Sequence, residues 1–183
     1  MNNTEDKLSE ANYFLERMKE HVMDGEAFRY NLSAFLTAFR SVTFIMRKEY
    51  NRISGFEEWY RKKQIEMKKD EKMKLLKEKR NITIHQKPIH LRAHVNVNAT
   101  SSIGLVPNII IHHAHANGTE ERYSSTEEEE EEHPQTPAKS DVDVQWRWYF
   151  DEFPDVDAIT ICEECLKKMK DIVSECKKKF STS

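Results

Sequence analysis

Residues 80–99, RNITIHQKPIHLRAHVNVNA, contain the change of pattern that decides the fold. Before Pro88 the apolar residues recur every three or four positions, which is typical of an amphipathic helix. From Leu91 to Ala99 apolar and polar residues alternate, which is typical of a strand with one buried face. The β-branched run Ile82-Thr83-Ile84 and the proline favour a helix end close to this point. The stretch therefore separates a helical part from a β part.

Upstream of this stretch the sequence predicts helices. A first helix is indicated by Tyr13, Phe14, Met18 and Val22, and Thr4 is placed to cap it. A second has a stripe at spacings of three or four residues, formed by Phe28, Leu32, Phe35, Phe39, Val42, Met46 and Tyr50. A third starts after a capping box of Ser54 and Glu57 and could run through Leu76.

Downstream, two further strands are predicted at residues 109–116 and 142–150, the second because apolar and polar residues alternate there. Residues 117–140 between them contain a glutamate run without apolar periodicity and are predicted to be a mobile acidic loop. A last helix has a stripe of Ile159, Cys162, Leu166, Met169, Val173, Cys176 and Phe180. The predicted fold is α+β in a single domain, 1–183: an antiparallel bundle of four to five helices (4–87 and 157–180) with a small three-stranded antiparallel β insertion at 89–150.

Composition excludes several classes of protein. The chain has 183 residues but only four glycines, which favours long helices over a many-stranded sandwich. No apolar run reaches the roughly 18 residues of a membrane span. The three cysteines lie close together and do not make a disulfide framework, so a reducing cytoplasm is expected. Cys162 and Cys165 have a metal or redox spacing, but they fall within a helical stripe and are interpreted as core residues.

Six of the eight histidines lie between His85 and His115. On strands, His90 and His94 share one face, as do His113 and His115, so a metal patch is geometrically possible. No Asp, Glu or Cys stands at ligand spacing within these strands, which favours a polar face without a metal. No metal and no cofactor are therefore predicted.

The strongest candidate for chemistry is Arg80-Asn81 followed by His85. Metal-independent cleavage of RNA needs a group that moves the 2′-hydroxyl proton and a cation that stabilises the transition-state phosphate. His85 and Arg80 fit these two tasks, but they converge only if the helix ends or distorts between them. Residues 57–92 carry twelve Lys or Arg against six acids, which suits a phosphate backbone, and Lys77, Lys79 and Lys87 are predicted to hold it.

A helical bundle with Arg, Asn and a His a few residues later resembles the HEPN (higher eukaryotes and prokaryotes nucleotide-binding) superfamily. The resemblance covers residues 4–87 and the last helix. It implies a metal-independent endoribonuclease of toxin or defence type, in which a homodimer brings two Arg80-His85 pairs into one cleft. In the reaction expected here, Asn81 positions the scissile group or its partner residue. The resemblance also implies a possible nucleotidyltransferase antitoxin as partner.

Two other readings of the sequence stay open. The chain could be a non-catalytic interaction module that pairs with a nucleotidyltransferase or another protein, with Trp146, Trp148 and Phe150 as its docking face, unless these aromatics cover the bundle. The acidic loop could shield the basic cleft from RNA, although solvation alone is the commoner role of a charge run.

Overall fold

A computed structural model describes residues 2–100, 111–114, 120–123 and 141–180. These residues fall into two compact units. The first comprises the described parts of Met1–Leu91 and Trp148–Ser183 and is helical. The second comprises the described parts of Arg92–Arg147 and contains strands.

The helical unit confirms the predicted bundle, with five helices among the described residues. Their bounds are α1 Asn3–Glu20, α2 Gly25–Tyr50, α3 Phe56–Lys69, α4 Glu71–His85 and α5 Ala158–Phe180. The apolar stripes of α2 and α5 are buried as predicted, apart from Ile159, which is half-buried. No described helix is long and apolar enough to cross a bilayer.

The β unit corrects the predicted three-stranded sheet. Its strands are β1 Arg92–Thr100, β2 Ile111–Ala114, β3 Glu120–Tyr123 and β4 Asp141–Tyr149. They form two sheets of two strands each, β1 with β4 and β2 with β3. The β2–β3 pair is antiparallel, with Ile111 opposite Tyr123 and Ala114 opposite Glu120. The extra strand, Glu120–Tyr123, lies in the predicted acidic loop. It pairs with β2 through its backbone, and the sequence did not predict it because it has no alternating apolar pattern. Residues 124–140 lie outside the described part of the chain.

The aromatic residues at the end of β4 belong to the core of the helical unit. The Trp148 indole stacks on Phe28, with ring centroids 5.2 Å apart, and its Nε1–H donates to the Val22 carbonyl at 2.7 Å. Phe150 is fully buried. A Cβ atom on Gly25 would stand 3.0 Å from the Trp148 ring, so any larger residue here would press on the indole. Trp148 and Phe150 therefore cover the bundle and offer no docking face.

Three helix starts differ from the predicted ones. Asn2, rather than Thr4, caps α1 in a capping box with Glu5, while Thr4 is buried. The N-cap of α3 is Gly55 at φ 81°, and no side chain caps it, so the expected Ser54 box is absent. The chain also breaks between α3 and α4 at Asp70, whose carboxylate accepts the Met73 N–H at 3.1 Å.

Candidate nucleic-acid interface

The end of α4 positions the predicted catalytic residues. The helix runs without interruption from Glu71 to His85, and the Gln86 and Lys87 N–H groups both donate to the Ile82 carbonyl, at 2.9 and 3.1 Å. Pro88 prevents another turn, because the residue before a proline is disfavoured in the α region. The helix therefore ends at His85, after the candidate motif and not within it.

Because α4 stays regular, Arg80 and His85 are not brought together. Residues five apart on a helix point about 140° from one another. Arg80 donates from Nη1 to the Oδ1 of Asn81 at 3.4 Å, and its buried Nε has no hydrogen-bond partner among the described residues. Asn81 and His85, four apart, share an exposed face.

His85 instead faces α2 across an open groove of about 610 Å³. We name it the α2–α4 groove; it is lined by Arg29, Tyr30 and Ser33 of α2 and by residues 83–89. His85 and Lys87 are both exposed there. The structure thus combines a histidine, two cations and an aromatic ring in one groove.

Arg29 and Tyr30 are the groove residues that sequence reasoning missed. The Arg29 guanidinium lies over the Tyr30 ring, 5.3 Å from its centroid, and the ring is 59% exposed. The Tyr30 hydroxyl donates to Glu26, and this hydrogen bond raises the pKa of Tyr30. The sequence did contain a signal for Tyr30. It stands two positions after Phe28, so on a helix its aromatic ring lies away from the apolar stripe and is expected to be exposed.

The three lysines predicted to bind an RNA backbone differ in their surroundings. Lys77 and Lys87 are exposed. The Lys79 ammonium pairs with Glu152 at 2.8 Å and lies 5.7 Å from the centroid of the Phe150 ring. The Lys79 side chain is only 12% exposed, and its ion pair links α4 to the segment before α5.

Two lysines of α3 and α4 are paired with acids of α5. Lys63 pairs with Glu175 at 2.8 Å and Lys72 with Glu164 at 2.6 Å. Hydrogen bonds from Lys63 and from Trp59 hold the pKa of Glu175 below its usual value. The basic stretch seen in the sequence therefore serves helix packing in part, and the α2–α4 groove retains Arg29 and Lys87.

The three cysteines are free and buried along α5. Burial raises the pKa of Cys162 well above its usual value, and that of Cys165 and Cys176 to about 12. A thiol protonated at neutral pH is a poor nucleophile and a poor metal ligand. The structure supports the interpretation of these residues as core.

The histidine-rich strands show no metal centre in the part of the chain that is described. No group of three or more His, Cys, Asp or Glu side chains converges there. His90 and His94 are exposed. His112 and His113 fall on β2, and His115 lies outside the described residues.

Comparison with known proteins gives one family. The family described as Bacteriophage lambda protein ea47 matches residues 1–182. Protein ea47 of Escherichia phage lambda is 33% identical over 99 residues, which cover 54% of this chain and 24% of that protein. The chain thus spans about a quarter of the length of this relative. No solved structure matches.

These findings correct the HEPN resemblance, because the family match is to ea47. The motif behind that resemblance is short. A chain with ten arginines and eight histidines is expected to contain a histidine four to six residues after an arginine about once by chance. The match to nearly every residue carries far more information, and the chain belongs to the family of bacteriophage lambda protein ea47.

Proposed function

We propose that this chain binds single-stranded RNA in the α2–α4 groove and cleaves it without a metal ion. The observation that carries the proposal is the meeting of His85, Lys87, Arg29 and Tyr30 at one groove. Cations and an exposed aromatic ring are the combination that binds single strands, because the cations attract phosphates and the ring stacks on a base. The C-terminal end of α4 carries partial negative charge, so phosphate binding there depends on these side-chain cations.

The proposed reaction uses His85 as the proton-transferring group. Its imidazole takes the proton of a ribose 2′-hydroxyl, and the oxygen attacks the adjacent phosphorus. The bond from phosphorus to the 5′-oxygen breaks, which leaves a 2′,3′-cyclic phosphate and a 5′-hydroxyl. Arg29 and Lys87 stabilise the charge that develops on the phosphate oxygens. Arg29 replaces Arg80 in this role because Arg29 lines the groove that contains His85.

The proposed reaction includes a homodimer. His85 is the only histidine among the described residues that line the groove. A second copy would supply a second imidazole, able to protonate the departing 5′-oxygen while the first acts as base. A cytoplasmic location and a growth-inhibiting, toxin-type role would follow from such cleavage. Induced expression of the wild type beside His85→Ala tests the growth effect.

The experiment is cleavage of labelled single-stranded RNA in EDTA. We expect His85→Ala to slow cleavage by about 10²–10⁴-fold and Arg29→Ala by about a hundredfold. His90→Ala is the matched control, since this exposed histidine does not line the groove. Arg80→Ala identifies the cation: a larger loss than in Arg29→Ala would return that role to Arg80. Equal rates in wild type and His85→Ala would refute the proposal.

An interaction module is the second candidate function. The shared 99 residues are 24% of protein ea47, so the related part of that protein stands within a much longer chain. A module of this kind would pair with a nucleotidyltransferase or another protein and need no chemistry at His85. Specific partner binding that survives His85→Ala, together with absence of RNA cleavage in EDTA, would favour it.

A further inference from the structure

A second cavity lies away from the α2–α4 groove, where α2, α3 and α4 enclose the surface of α5. Its volume is about 320 Å³, within the roughly 300–1,000 Å³ typical of small-molecule sites. We name it the methionine pocket. Its apolar walls are formed by Leu36, Phe39, Met67, Met73, Leu76 and Met169.

The rim of the methionine pocket is charged, in contrast to its apolar walls. Four cationic side chains and one carboxylate border it: Arg40, Lys68, Lys74, Lys77 and Glu78. Glu78 stands 3.9 Å from Lys74, which leaves an excess of positive charge. Arg40 is held in place, because its Nη1 donates to Thr43 at 3.1 Å and its guanidinium lies 4.5 Å from the centroid of the Phe44 ring.

The size of the pocket favours a small molecule over a peptide helix. The α2 residues on its wall run from Leu36 to Thr43, about 10 Å at 1.5 Å per residue. A docked helix places several anchors along more than two turns, whereas this pocket has room for a single apolar chain. Methionine side chains have several rotatable bonds and adapt their shape to such a chain.

We propose that the methionine pocket binds an amphipathic organic anion, with an unbranched apolar chain inside and a carboxylate or phosphate head at the cationic rim. Apolar walls stabilise the chain by removing it from water, and the rim selects the sign of the head group. This site is independent of RNA cleavage, so either proposal can fail alone.

The test uses decanoate as probe and the ε-methyl groups of ¹³C-labelled methionine as reporters. Below micelle-forming concentrations, decanoate is expected to shift the signals of Met67, Met73 and Met169 saturably. The exposed Met23, which does not line the pocket, should stay unchanged. Decyltrimethylammonium, with the same chain and the opposite charge, should bind at least tenfold more weakly.

Variants separate the two parts of the site. Lys68→Gln with Lys77→Gln should raise the dissociation constant for decanoate about fivefold and leave that for decanol unchanged. Lys62→Gln is the matched control on α3, outside the pocket. Decyl phosphate in place of decanoate shows which head group is preferred. Absence of a saturable shift with either anion, or equal affinity for the decyl cation, would overturn the proposal.

Discussion

At the scale of single residues, Trp148 joins the end of a strand to the turn between α1 and α2. Its indole stacks on Phe28 and donates to the Val22 carbonyl. Trp148→Ala should lower the free energy of unfolding by about 2–3 kcal/mol, since it removes a half-buried ring and leaves a cavity. Trp148→Phe keeps an aromatic ring and should cost less.

The measurement is urea unfolding followed by circular dichroism. Tyr13→Ala is the control, because this aromatic ring is 59% exposed; it should change stability by less than about 0.5 kcal/mol. Equal effects of Trp148→Ala and Tyr13→Ala would show that the indole does not hold this turn.

The buried cysteines make stability depend on pH. Burial raises the pKa of Cys165 and Cys176 to about 12 in the folded chain, against roughly 8.5 in an unfolded chain. The folded state then holds more protons than the unfolded state above pH 8.5, so stability falls as pH rises through this window.

The check compares melting temperatures between pH 7 and 10.5 for wild type and a variant with all three cysteines replaced by alanine. The variant should lose less stability on going from pH 7 to 10.5, because it lacks these thiols. Parallel curves would mean that the thiols ionise as easily in the folded chain as in the unfolded one.

Only part of the proposed groove could be predicted from the sequence. His85 and Lys87 were predicted, but Arg29 and Tyr30 were not, because they join His85 only through the packing of α2 on α4. Arg80 and His85 were expected to converge only if the helix ended or distorted between them; α4 stays regular to His85 and separates them.

At the scale of elements, Asp70 determines where α3 ends and α4 begins. Its carboxylate accepts the Met73 N–H and pairs with Lys168 of α5. Burial opposes ionisation, but the bonds from Lys168 and Met73 outweigh it and hold the pKa of Asp70 below its usual value. Asp70→Ala should cost about 1–2 kcal/mol, and Asp70→Asn, which retains a capping oxygen, should cost less.

The sign of the pH effect follows from the lowered pKa. The ionised Asp70 stabilises the fold above the pKa of the unfolded chain, and this contribution is lost as pH falls. Chemical denaturation at pH 7 and pH 3 should show a larger acid-induced loss for wild type than for Asp70→Asn. The same loss in both would show that the carboxylate charge is unimportant at this junction.

The buried faces formed by large apolar residues were predictable from sequence, whereas the buried face of α1 and the strand β3 were not. The stripes of α2 and α5 hold Phe, Leu, Met and Val at regular spacing. The buried positions of α1 are Thr4, Ala11, Leu15 and Met18; two of them are small, whereas the larger Tyr13 of the predicted stripe is exposed. The strand β3 reads EERY and has no alternating apolar pattern.

At the scale of the whole molecule, the proposed RNA groove holds only part of the positive charge of the described residues. The α5 acids pair with lysines of α3 and α4, and the groove contributes Arg29 and Lys87. Neutralising two phosphates of a single strand gives a slope of log affinity against log salt of about −1.4. Fluorescence anisotropy across a salt series should give this shallow slope, and one steeper than about −4 would place RNA on the wider basic surface.

The chemistry of the cleaved ends tests the account most directly. A DNA strand with a single internal ribonucleotide, incubated with the protein in EDTA, offers one 2′-hydroxyl to the α2–α4 groove. Mass spectrometry should find cleavage only after the ribonucleotide, with a 2′,3′-cyclic phosphate and a 5′-hydroxyl, at a rate that His85→Ala abolishes and His90→Ala retains. An intact strand, cleavage that yields 3′-hydroxyl ends, or unchanged cleavage by His85→Ala would contradict the account.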